Sequence, residues 1–239
     1  MMNADHSRAA VKPPKGSPLG LKSWLRELAQ AAEWSVAPPD YPSEPLPRGD
    51  GRTVLLLPGF MAGDWTLGRL GGFLTQQDYR VEYTGVQFNP GPMRIMIDQF
   101  ARRLDRLTDE RGPVVLLGVS LGGVFARHLA RDRAESVSHV VTLSAPVRFP
   151  VTTALALFVR ALAPLHAPEF RAARDAIATP LPMPVTALYS EDDGILDWRQ
   201  CLPDPADNLE TVSVGGPHIA MGTNPAAQIA IARALARHT

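Results

Sequence analysis

Residues Gly118-Val119-Ser120-Leu121-Gly122, with Gly123 behind them, set one serine between two glycines at the spacing Gly-x-Ser-x-Gly. The apolar run PVVLL leads straight into the motif, and LGGVFARHLARD leads out of it as a helix. A strand that bends sharply into a helix forces the serine into a strained turn, and glycines two residues to either side relieve the crowding. The turn lifts the hydroxyl out of the sheet. The helix that follows aims its free N–H groups and partial positive charge at the same place. The chemistry this spacing supports is nucleophilic attack by Ser120 on a carbonyl. The glycines do not make a phosphate loop, since no Gly-Lys-Ser/Thr follows.

A serine hydroxyl is a poor nucleophile without a base. Six histidines are available. His6 and His238 are terminal, His128 lies two turns along the helix after Ser120, His139 lies inside a strand and His166 lies in a Pro-rich insertion. His218 sits in Gly215-Gly216-Pro217-His218, between a strand and the last helix, where the loop can bring the ring back over the sheet edge. His218 is the expected base. It needs a carboxylate to fix its tautomer. The segment Tyr189 to Asp197 (YSEDDGILD) follows a strand and holds four acids. Asp193 is favoured because Gly194 lets the chain turn behind it, with Asp192 and Asp197 as the alternatives. The developing oxyanion needs donors. Leu121 N–H is one, and Phe60 N–H, in the loop Pro58-Gly59-Phe60-Met61-Ala62-Gly63, is the expected second.

These residues need a frame. From Arg52 onward short apolar strands alternate with helices. Strands are read at Thr53–Leu57, Arg80–Thr84, Pro113–Leu117, Val137–Leu143, Val185–Tyr189 and Glu210–Val214, with helices at Leu67–Gln77, Met93–Glu110, Leu121–Arg131 and Pro225–Arg237. Such alternation predicts an α/β fold: a three-layer sandwich with a mostly parallel sheet and helices on both faces. One interval holds too much for a simple crossover. About residues 147–182, two helix candidates (Thr152–Ala163 and Glu169–Ala178) lie among Pro164, Pro168, Pro180, Pro182 and Pro184. This predicts a small helical cap. Its apolar side chains, Phe158 and Leu162 in particular, are expected to line an acyl pocket together with Met61.

The first 50 residues differ in kind. They hold 8 of the 23 prolines, and all three lysines fall within the first 22 residues. Residues 1–50 are read as an arm with one helix, starting at Ser17-Pro18 and burying Leu21, Trp24, Leu25, Leu28 and Ala32, followed by a Pro-rich linker. Residues 51–239 form the domain. Over 239 residues, 24 basic and 24 acidic side chains cancel, so no global field favours a nucleic acid or an anionic membrane surface. The N-terminus shows no secretory hydrophobic region, and the longest charge-free stretch, Thr211 to Ala232, is broken by Gly-Gly-Pro and Asn-Pro, so no integral membrane segment is expected. A cytoplasmic location is the default expectation. The single cysteine, Cys201, excludes an intrachain disulfide and a Cys-based zinc site, and reads as a small buried hydrophobe. The acids at 191–193 lack EF-hand spacing. No metal or cofactor is implied.

Taken together, PGF, GVSLG, SEDDGILDW and GGPHIAMGTNP resemble, in that order, the motifs of the α/β-hydrolase superfamily. More closely the chain resembles small bacterial lipase/esterase-like hydrolases, on Pro58-Gly59-Phe60, Asp193-Gly194, Trp198, Cys201, His218 and Asn224-Pro225. Pro58 departs from the His-Gly oxyanion loop commoner in the superfamily. The resemblance covers residues 52–239 and implies ester hydrolysis, while the apolar side chains of the cap add the expectation of a small ester with an apolar moiety. It does not name the ester. Two alternatives stay open at this level: an acyltransferase using the same triad, and a non-catalytic binding protein on the same fold.

Overall fold

The structure is a computed structural model, and it describes Leu25, Glu27, Ala29 and residues 45–237. Six strands form one sheet: β1 (Thr53–Leu57), β2 (Arg80–Tyr83), β3 (Val114–Val119), β4 (Val137–Leu143), β5 (Val185–Tyr189) and β6 (Leu209–Ser213). Their order is β2-β1-β3-β4-β5-β6, and every neighbouring pair is parallel. Parallel neighbours require crossovers, which helices α1 (Gly68–Gln76), α2 (Arg94–Arg111) and α3 (Leu121–Asp132) supply. Helix α6 (Pro225–Ala236) closes the chain.

The alternation of side chains along a strand divides the core into two layers. In β1, Leu55 and Leu57 join Phe100 and Leu104 of α2 and Phe125 of α3. Val54 and Leu56 face the other way, toward Leu70 and Leu74 of α1 and Ile231 and Leu235 of α6. All five residues of β1 are buried, as a strand covered on both faces must be. Helix α2 is amphipathic as its sequence spacing predicts, with Met96, Ile97, Phe100, Ala101, Leu104 and Leu107 buried, and it ends at Gly112, whose φ of 79° is a left-handed stop. Phe100 meets Phe125 edge to face at 4.8 Å between ring centres, locking α2 against α3.

Between β4 and β5 lie α4 (Ala156–Leu162), α5 (Pro168–Ala173) and short 3-10 turns. Both helices are shorter than their spacing predicts. Residues 152–154 are claimed by the loop after β5 instead. Thr153 bridges Leu196 antiparallel, Ala154 N–H donates to Ile195 O at 2.9 Å, and Thr152 N–H donates to Gln200 Oε1 at 2.6 Å. The insertion returns to the body through Arg127, 1% exposed, whose Nε and Nη2 donate to the carbonyls of Ile177 and Thr179 at 2.6 and 2.7 Å. Burial first, then the neighbouring Arg131 charge, lowers that guanidinium to about 10.

Most of the helix expected in the N-terminal arm lies outside the described residues, as do His6 and His238. Leu25, Glu27 and Ala29 are helical. Their burial inverts the sequence reading: Leu25 is 53% exposed and Glu27 is 1% exposed. Among the described residues, no helix is long and apolar enough to cross a membrane.

Candidate active site

The loops after β1, β3, β5 and β6 leave the same, carboxyl edge of the sheet, where open α/β sheets place their ligands. Ser120 follows the last residue of β3 at once, with φ 52° and ψ −122°, a conformation that costs a non-glycine residue free energy. The surroundings hold it there: Ser120 N–H donates to Leu143 O at 2.8 Å. The flanking glycines have a steric cause. A Cβ on Gly118 would stand 2.2 Å from the Gly122 carbonyl carbon, and one on Gly122 would stand 2.1 Å from Leu57 O. No side chain fits at either position, so the Gly-x-Ser-x-Gly pattern is dictated by packing between β1, β3 and α3.

The loop after β1 runs beside the serine. A Cβ on Gly59 would lie 3.3 Å from Ser120 Cβ. Neither Phe60 N–H nor Leu121 N–H donates to another described residue, and both residues line the cavity above Ser120. Asn89, wholly buried, fixes this loop from beneath. Its side chain donates to Pro58 O at 2.9 Å, and its backbone exchanges hydrogen bonds with Met61 N–H at 2.7 Å and Ala62 O at 2.8 Å.

The structure pairs His218 with Asp193. His218 Nδ1 and Asp193 Oδ2 are 2.6 Å apart, and the Asp193 side chain is fully buried. The other carboxylate oxygen, Oδ1, accepts from Ile195 N–H at 2.9 Å and Leu196 N–H at 2.8 Å. The neighbouring acids do other things. Asp197 caps the 3-10 turn at Trp198, and Asp192 is exposed, with one 3.4 Å contact to Gly216 N–H. Burial alone would lower the His218 pKa, but the charge and hydrogen bond of Asp193, then the charge of Glu27, outweigh it and leave it raised. Ser120 and His218 line one cavity and make no hydrogen bond to each other among the described residues.

Of the other described histidines, two are occupied away from the cavity. His139 meets Thr186 Oγ1 at 3.0 Å within the sheet, and His128 faces Asp132 at 3.6 Å on the far side of α3. His166 lines the cavity wall, with its pKa lowered by burial and then by Arg171. Cys201 is buried with Ile195 and Leu196, and burial, then the Asp193 and Asp197 charges, pushes its thiol pKa well up. Among the described residues no group of three or more His, Cys, Asp or Glu side chains is placed to hold a metal ion.

The cavity has a volume of about 780 Å³ and a mainly apolar wall. Met61 lines it. Phe158 and Leu162 do not: helix α4 turns Ala156, Val159 and Arg160 toward the cavity, with Leu155 just before the helix and Ala163 just after it. Residues 155, 159 and 163 repeat every four positions along one face, and Phe158 and Leu162 stand on the adjacent one. Phe158 is 57% exposed. Side-chain size guided the expectation, whereas helix face decides the lining.

Asn89 and Glu27 escaped the sequence reading. Asn89-Pro90-Gly91 reads as an ordinary turn, and a lone Glu on a surface helix reads as solvated. The apolar spacing around Glu27 held no signal that one polar residue would face inward.

Residues 54–237 match the sequence family described as the Alpha/beta hydrolase family. Among proteins with curated descriptions, none matches the chain in sequence. Several solved structures share its fold. The monoacylglycerol lipase of Paleococcus ferrophilus superimposes with a TM-score of 0.59 at 17% identity, over 81% of this chain and 96% of that one. A structure from work on LipS and LipT, two metagenome-derived lipolytic enzymes, gives 0.63 at 15% identity, over 81% and 95%. The carboxylesterase CesB of Bacillus subtilis gives 0.55 at 13% identity, over 88% and 98%. At these identities the likeness is one of fold.

Proposed function

The chain belongs to the alpha/beta hydrolase family, and from that premise and the site we propose that it is a serine hydrolase cleaving carboxylic esters with an apolar acyl portion. The observation that carries the reading is the 2.6 Å pairing of His218 with Asp193 at the cavity that also holds the strained Ser120. Ser120 Oγ attacks the ester carbonyl while His218 Nε2 takes its proton. Phe60 and Leu121 N–H groups hold the oxyanion, and Asp193 balances the imidazolium. His218 then returns the proton to the leaving alcohol, and an acyl-Ser120 remains. Water, deprotonated by His218, attacks the acyl carbonyl and releases the acid. Residues 147–182 act as the cap that sets acyl fit, since Leu155 and Val159 supply part of the apolar wall. The lipolytic and esterase names of the structural neighbours agree with this reading.

The test is turnover of p-nitrophenyl esters from acetate to laurate, with fluorophosphonate labelling of the same preparation. Labelling at Ser120 is expected, together with loss of turnover by several orders of magnitude in Ser120→Ala. Turnover that survives Ser120→Ala would remove the serine from the mechanism.

A further inference from the structure

The carboxylate of Glu27 lies against the machinery from outside the sheet. It is 1% exposed, and its two oxygens reach two different loops. Oε2 accepts from Gly194 N–H at 2.9 Å, and Oε1 accepts from Ile219 N–H at 2.7 Å. Gly194 directly follows Asp193, and Ile219 directly follows His218. One side chain therefore joins the residues next in sequence to both members of the pair. In the acid loop, the N–H groups of residues 194, 195 and 196 are taken in succession by carboxylates, the first by Glu27 and the next two by Asp193. Successive N–H groups of this kind form a concave anion site. The same two loops are joined elsewhere by Ser190 Oγ–H donating to Gly216 O at 2.6 Å and by the long Asp192–Gly216 contact. The first touches no residue adjacent to Asp193 or His218, and the second reaches only the exposed Asp192, at 3.4 Å.

We propose that Glu27 is a positioning residue that clamps the acid loop to the histidine loop and so fixes the geometry of the Asp193–His218 pair, an inference that rests on the triad reading above. Two backbone donors depend on it, and leaving buried donors without acceptors is costly. Its charge acts as well. Among the described residues, the ionisable groups bearing on Glu27 are His218 and Asp193, and those bearing on His218 are Asp193 and Glu27. Burial raises the Glu27 pKa above its ordinary range, against the two N–H bonds and the His218 charge, which lower it. When ionised, Glu27 favours the imidazolium that forms as Ser120 loses its proton.

The experiment compares the full chain with Glu27→Gln and Glu27→Asp. Three quantities are read: kcat and KM per fluorophosphonate-titrated site, the acid limb of the kcat/KM pH profile, and the His218 titration followed by NMR. Glu27→Gln keeps the size but removes the charge and sets an NH2 group against one N–H. Its kcat is expected to fall about 10–100-fold with KM within about threefold. Both the acid limb and the His218 midpoint should move to lower pH, since an anion that stabilised the imidazolium is gone. Glu27→Asp keeps the charge and gives up one reach, so its kcat should lie between the two while the acid limb stays near wild type. A change in fold stability alone would move neither the limb nor the midpoint. Wild-type kcat and an unshifted His218 midpoint in Glu27→Gln would overturn the proposal. If that variant does not fold, full wild-type kcat in Glu27→Asp would overturn it. Wild-type turnover that does not depend on Ser120 would instead sink the triad reading, and the His218 midpoint would still decide the clamp.

Discussion

Gly59 and Ser120 approach so closely that one methyl group on the glycine would press against the serine side chain at 3.3 Å. The loop holding Phe60 N–H is thus set by contact with the nucleophile itself. Gly59→Ala is expected to keep the fold, because the backbone there does not require a glycine φ. It should lower kcat/KM by about 10–100-fold by shifting the loop a fraction of an ångström. Kinetics together with a thermal melt check this, and unchanged kcat/KM would show that the loop has slack.

Asn89 is the strut of the same loop. Asn89→Ala removes the bond to Pro58 O and the acceptor for Gly91 N–H at 3.1 Å. The expected destabilisation is about 1–3 kcal/mol, from buried groups left unpaired. A fall in kcat of about 100-fold should accompany it as Phe60 N–H loses its aim. Denaturant unfolding separates the two effects. A stability loss with full kcat per titrated site would confine Asn89 to folding.

The three aspartates of the loop after β5 predict three different phenotypes. Asp193→Asn should lower kcat by about 10³–10⁴-fold, since the amide holds His218 in the wrong tautomer. Asp192→Asn should be nearly silent. Asp197→Asn should cost about 1 kcal/mol or less of stability, through loss of the charge facing Arg199, with little change in kcat. A large kinetic defect in either neighbour would contradict the pairing seen at 2.6 Å.

His218 gives a pH dependence with a definite sign. Its pKa is raised above the ordinary 6.5 because Asp193 and then Glu27 outweigh burial. Neutral His218 is the base, so kcat/KM should rise with pH through a midpoint above 6.5. Stability runs oppositely. A group that binds its proton more tightly when folded contributes fully below the unfolded pKa, and that contribution is lost as pH rises through the folded value. Unfolding free energies of wild type and His218→Gln across this window should converge as pH rises. A kinetic midpoint at or below 6.5 would mean burial dominates.

Helix α4 separates lining from covering. Leu155→Ala and Val159→Ala should shift the acyl-length optimum, by about 1–3 kcal/mol of discrimination per methylene-scale change in fit. Phe158→Ala, on the outward face, should leave the profile unchanged in shape. Profiles of kcat/KM from acetate to laurate distinguish them. A shifted optimum in Phe158→Ala alone would move the pocket to the other face of α4.

The alternation of elements was legible because the four inner strands are short and mostly apolar and each crossover helix carries its own spacing. Ser120 and its elbow were legible for a local reason: the glycines are demanded by atoms two to four residues away or on the adjoining strand. Asp193 could be favoured over Asp192 from Gly194 alone, although only the fold shows Ile195 and Leu196 N–H holding its second oxygen. Phe158 was misread because seven residues of helix carry too little pattern to tell one face from the next. Glu27 and Asn89 were illegible because their partners are backbone N–H and C=O groups, which carry no mark in a sequence.

The partners of Glu27 lie 167 and 192 residues further along the chain. Synthesis proceeds from the amino terminus, at about 5–20 residues per second, so roughly 10–40 s separate the emergence of Glu27 from that of Ile219. Until Gly194 and Ile219 are made, neither of these N–H groups is there to donate to its carboxylate, and water donates instead. Glu27 can therefore gain its second backbone donor only after β6 has been made. A nascent chain arrested before Ile219 lacks one of the two backbone donors to Glu27.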